Sequence, residues 1–120
     1  MKIQESAENY LETIFILSRN GGTVRSVDIS NELNYSKPSV SVAMKKLRLD
    51  GYVEIDASGF VNLTERGREI AEVIHERHEF ISNWLVSLGV DEDIAAKDAC
   101  KIEHVISEQS FTAIREHIKK

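Results

Sequence analysis

The spacing of apolar side chains changes character in one short stretch, and that change constrains the fold more than any other feature of the chain. Through residues 6–18, 26–33 and 36–49 apolar residues recur every three to four positions, as on helices buried along one face. Between Tyr52 and Leu63 they alternate, and from Thr64 onward the helical period returns. Residues 6–18 place Tyr10, Leu11, Ile14, Phe15 and Leu17 together, with Ser6 as N-cap and Asn20-Gly21-Gly22 as the stop. Ser26 to Leu33 predicts a short helix with Val27, Ile29 and Leu33 inward, then a tight turn at Asn34-Tyr35. Ser36 caps a third helix, with Pro38 in its first turn, where a missing N–H costs nothing. That helix turns Val40, Met44 and Leu47 inward and stops near Asp50-Gly51. Two alternating segments, Tyr52–Asp56 and Phe60–Leu63, flank the turn Ala57-Ser58-Gly59 and predict a β-hairpin. Thr64, with Glu65 behind it, caps a long helix to about Leu88, where Gly89 stops it. Asp91 opens a further helix to about Ile106, and Ser107 caps a last one.

This order predicts a mainly α chain in two domains: a winged helix-turn-helix, residues 1–71, followed by a helical domain, residues 72–120. The chain has 120 residues, enough for one compact domain or a small domain with a helical appendage. A single Pro and 6 Gly exclude collagen-like and Pro-rich architectures, and no internal repeat is visible. No apolar run approaches the roughly 20 residues needed to cross a bilayer. The opening MKIQESAENY carries no signal peptide, so a cytoplasmic protein without membrane contact is expected. The single cysteine rules out an internal disulfide and suits a reducing compartment.

A net charge of −5 argues mildly against a nucleic-acid partner, but its distribution argues for one. Between Tyr35 and Leu49 stand Lys37, Lys45, Lys46 and Arg48 with no acid, whereas residues 64–120 hold 8 basic and 12 acidic residues, a net of −4. Positive charge thus gathers on the second helix of the helix-turn-helix, where phosphates would lie. Ser36, Lys37, Pro38, Ser39 and Ser41 open that helix, and their short side chains would let its backbone approach a duplex. Lys45 and Lys46 would serve the DNA backbone. A solvated Lys-rich face is the bland alternative. No arginine stands early in the helix for bidentate guanine contact, so DNA shape would carry much of the selectivity. One recognition helix binds too little DNA for useful specificity, so a homodimer on a palindromic site is expected. Phe80, Ile81, Trp84, Leu85 and Leu88 form an apolar stripe, and Phe80, Trp84, Leu85 and Leu88 are the candidate dimer interface.

Cys100, Glu103 and His104 fall at i, i+3 and i+4 of a helix and so share a face. A thiol, a carboxylate and an imidazole converging there suit a divalent transition metal. His78 and Glu79 lie on the long helix, and Asn9 and Glu12 one turn apart on the first. The alternative is a buried cysteine beside an exposed polar pair. His75 and His117 are assigned to the surface, His75 with an outside chance of being an accessory ligand.

The segments ENYLETIFIL, SKPSVSVAMKKLRLDGYV, LTERGREIA, RHEFISNWL and ACKIEHVIS together resemble the metal-dependent repressors related to the diphtheria toxin repressor and the manganese transport regulator. The resemblance covers nearly the whole chain and is to the short, two-domain form. It implies a winged-helix DNA-binding domain, a helical dimerization domain and metal-activated operator binding. It implies one metal position built from Asn9, Cys100, Glu103 and His104, and a second from Glu12 and His78 with Glu103 shared or nearby. The family usually carries methionine or aspartate where Asn9 stands, so that position keeps an oxygen ligand but loses a charge or a soft sulfur. In the family's iron-responsive members the position of Cys100 is a cysteine, and in manganese-responsive members it is usually a glutamate. Cys100 therefore favours Fe²⁺ over Mn²⁺, as thiolate softness also does. An ancillary site would need acid and imidazole near positions 82 and 96, and Ser82 and Ala96 predict its absence.

The expected function is a metal-dependent transcriptional repressor of metal-uptake genes, with no organic effector. Two rivals are a winged-helix regulator responding to a small organic ligand and a metal-buffering or redox-sensing protein using Cys100. An enzyme is disfavoured, since neither a nucleophile–base pair nor a phosphate loop is visible.

Overall fold

A computed structural model describes residues 5–19 and 21–119. The elements run α1 (Glu5–Arg19), α2 (Ser26–Leu33), α3 (Lys37–Leu49), β1 (Val53–Ile55), β2 (Val61–Leu63), α4 (Glu65–Ser87), α5 (Glu92–Val105) and α6 (Glu108–Lys119). The chain divides into two compact units, Met1–Glu72 and Val73–Lys120, with the division inside α4. Among the described residues no helix is long and apolar enough to cross a membrane.

In the first unit, α1 buries Tyr10, Leu11 and Ile14 against Ile29 of α2, Val40, Met44 and Leu47 of α3, and Val53 and Val61 of the two strands. Phe15, Leu17 and Leu33 pack at the edge of this core. Burial, and then the neighbouring Tyr35, push the Tyr10 phenol above its ordinary pKa. Val27, expected inward, is 39% exposed. At 100° per residue it lies about 200° from Ile29, so a helix of two turns cannot bury both. Ser6, expected as an N-cap, lies inside α1, which begins at Glu5. Asn20 lies outside the described residues; Gly21, with a φ of 76°, follows α1 and donates to the Ser18 carbonyl at 3.2 Å.

The turn between α2 and α3 rests on Asn34, left-handed at φ 57°, a conformation asparagine tolerates better than most residues. The Ser30 hydroxyl donates to the Tyr35 carbonyl at 2.6 Å across it. β1 and β2 pair antiparallel, with Val53 opposite Leu63 and Ile55 opposite Val61. The Asp56 carboxylate closes the wing turn by accepting from the backbone of Ser58 at 2.9 Å and of Phe60 at 3.1 Å. Thr64 caps α4, accepting from the Gly67 amide at 3.1 Å and donating to the Gly51 carbonyl at 2.8 Å.

In the second unit, Ile81, Ala99 and Phe111 form the buried centre, with Phe80, Leu85, Ile102 and Ile106 packed around it. Phe80 meets Phe111 edge to face, centroids 5.6 Å apart. Asp91 caps α5 by accepting from the Asp93 amide at 3.2 Å, and Ser107 caps α6 by accepting from the Ser110 amide at 3.1 Å.

Candidate metal centre and nucleic-acid interface

The last turns of α5 bring Cys100, Glu103 and His104 together, their donor atoms all within 4.8 Å of one another. Glu103 is 1% exposed, an unusual place for a carboxylate. Its two oxygens divide between two imidazoles: Oε1 lies 3.3 Å from His104 Nε2, and Oε2 lies 3.2 Å from Nδ1 of His78 on α4. Neither oxygen accepts a hydrogen bond of good geometry from the described residues. A buried acid close to two ring nitrogens, yet bonded squarely to neither, is a donor set arranged around a space rather than around itself. Cys100 is a free, half-exposed thiol on the same face. Nitrogen, oxygen and sulfur donors in one cluster fit a divalent transition metal rather than magnesium or calcium.

His75 departs from its expected surface position. Its ring is half-buried, and Nε2 lies 2.9 Å from the Glu79 carboxylate one turn along α4. His117 is exposed. Asn9 and Glu12 belong to the first unit, one turn apart on α1. Glu12 is 4% exposed. Asn9 is half-buried, and its side-chain amide makes a long 3.5 Å hydrogen bond to the Tyr35 hydroxyl.

On α3 the side chains of Lys37, Pro38, Ser39, Ser41, Lys45 and Lys46 are all exposed, while Val40, Met44 and Leu47 hold the opposite face to the core. Ser36 is exposed too, but its hydroxyl is engaged as the N-cap: it accepts from the Ser39 amide at 3.3 Å and donates to the Ser39 hydroxyl at 2.8 Å. Two residues of the first unit escaped the sequence reading. Val42, at the outer face of α3, is 71% exposed, and helical spacing from Val40 already placed it there. Arg25, just before α2, stacks its guanidinium 4.4 Å from the ring centre of Phe60 in the wing, a pairing across 35 positions that no local pattern signals.

Of the expected dimer stripe, Phe80 and Leu85 serve the core of their own unit, Trp84 is half-buried, and Leu88 is 65% exposed.

Comparison with known families decides what these two units are. The family description "Iron dependent repressor, N-terminal DNA binding domain" matches residues 2–59. "Iron dependent repressor, metal binding and dimerisation domain" matches residues 64–120. The chain belongs to the iron-dependent repressor family. Among its relatives in the family is the transcriptional regulator MntR of Escherichia coli, 37% identical over 112 residues that cover 93% of this chain and 72% of the relative. An uncharacterized HTH-type transcriptional regulator of Methanocaldococcus jannaschii is 32% identical over 120 residues, covering 98% of this chain and 96% of its own length. The solved structure of the manganese regulator SloR superposes with a TM-score of 0.84 at 26% identity, covering 99% of this chain and 55% of that one. The chain thus spans about half the length of that solved structure. The winged helix and the helical second domain are the fold of this repressor family.

Proposed function

We propose that this iron-dependent repressor family member is a metal-activated transcriptional repressor that binds a palindromic operator as a homodimer and performs no catalysis. The observation that carries the reading is the Glu103 carboxylate, buried between the imidazoles of His78 and His104 beside the Cys100 thiol. Residues 1–71 are the DNA-binding domain and residues 72–120 the metal-binding and dimerization domain.

Asn9, Cys100, Glu103 and His104 would hold one ion; Glu12 and His78, with Glu103 shared or nearby, would hold a second. A bound divalent cation supplies the positive charge that lets the carboxylates and a thiolate share one small volume. Recruiting Asn9 and Glu12 engages α1, the helix whose inner face carries the winged domain's core. In a dimer this fixes the separation of two recognition helices to about one duplex turn or a multiple of it. Trp84 and Leu88 supply apolar surface for the second copy. Lys37, Lys45 and Lys46 meet phosphates, and Ser39 and Ser41 approach the groove. The Cys100 thiolate favours Fe²⁺ over the harder Mn²⁺.

Anaerobic selection of duplexes from a random pool, with Fe²⁺, with Mn²⁺ and with chelator, tests this directly. Palindromic duplexes enriched with metal and lost with chelator are expected, with Fe²⁺ the stronger activator. Equal enrichment in chelator would reduce the metal cluster to a structural role. Stronger enrichment with Mn²⁺ would overturn the preference drawn from Cys100.

A further inference from the structure

The outer face of α3 has an apolar side chain at its centre. Val40, Met44 and Leu47 define the inward direction of this helix. At 100° per residue Val42 points about 200° away from Val40, directly opposite the core. It is 71% exposed. Lys45 and Lys46 lie one turn beyond it on the same face, and Pro38 one turn before. A β-branched residue is a poorer helix former than alanine or lysine, and at this exposure valine gains little from folding.

What covers Val42 follows from its neighbours. From Tyr35 to Leu49 the chain has four basic residues and no acid, so the face presents to a polyanion. Lysines that reach outward to phosphates leave the side chain between them to meet the floor of the groove. Base edges in the major groove are hydrogen-bonding atoms with one apolar projection, the 5-methyl group of thymine. We propose that Val42 contacts a thymine methyl in each half-site and so helps set operator specificity. The proposal rests on the DNA-binding reading above and adds the base to which this residue responds.

The test uses the full-length protein with metal. Duplexes are selected from a random pool, and each thymine of the enriched site is then replaced by uracil, which removes the methyl and leaves the pairing intact. Wild-type affinity is expected to fall at one symmetric pair of positions by about fourfold per half-site, and by more than tenfold when both are replaced. Val42→Ala is expected to bind thymine and uracil versions of that pair equally. Its helical circular dichroism should match wild type, because the side chain is outside the core. Wild-type indifference to every uracil replacement would overturn the proposal while leaving the DNA-binding reading in place. An undiminished uracil penalty in Val42→Ala would assign the methyl contact to another residue and also overturn it. Failure to enrich any duplex with metal would overturn both.

Discussion

Glu103 is a buried acid at the centre of the candidate metal site. An isolated carboxylate removed from water is costly, and His78 and His104, at 3.2 and 3.3 Å, are close enough to offset that cost. A cation placed among the same donors would offset it far better. Glu103→Gln keeps the volume and removes the charge. It is expected to keep the fold and to weaken metal binding by at least roughly tenfold, as loss of even an outer-shell partner commonly does. Anaerobic titration calorimetry reads the affinity directly, and an unchanged value would remove Glu103 from the shell. The spacing of Cys100, Glu103 and His104 was legible in the sequence because one helical turn fixes it. The approach of His78 followed only from the family resemblance and not from local spacing, since it comes from another helix and depends on how α4 and α5 pack. His75 misled for a related reason: its own turn of α4 looked polar, and the nearby Glu79 that engages it gave no sign of burial.

At the level of elements, the wing and α4 meet in a close backbone joint. The Thr64 amide donates to the Tyr52 carbonyl at 3.1 Å, and Gly67 packs against that same carbonyl. A Cβ at Gly67 would overlap the Tyr52 carbonyl oxygen, which is backbone and cannot swing aside. Gly67→Ala is therefore expected to destabilise the winged domain by about 1–3 kcal/mol despite improving helix propensity. Thermal melting followed by circular dichroism would show a midpoint several degrees lower; an unchanged midpoint would mean that the joint yields freely. Capping residues marked the helix starts correctly at Thr64, Asp91 and Ser107, but not at Ser6, which lies inside α1. Sequence patterns failed where a choice of face needed more turns than the element has, as at Val27. The close approach at Gly67 was invisible, because its reason is a carbonyl fifteen positions upstream. The apolar stripe on α4 was seen, but not that Phe80 and Leu85 would be claimed by α5 and α6 within the same unit.

For the whole molecule, metal and DNA are expected to favour one conformation, so their effects must be reciprocal. If Fe²⁺ tightens operator binding by some factor, operator must tighten Fe²⁺ binding by the same factor, within the range of about 5–150-fold usual for such coupling. Operator titrations with and without metal, paired with metal titrations with and without operator, measure both sides of the cycle. Unequal factors at fixed dimer concentration would reveal a further linked equilibrium. The cluster on α5 also has a consequence for how such a protein evolves. Three of its donors issue from little more than one turn of one helix, far along the chain from the residues of α3. If Cys100 selects the ion, a substitution there would change the metal that is sensed without touching the face of α3. Sensitivity and address would then be separate traits, each free to change while the other is kept.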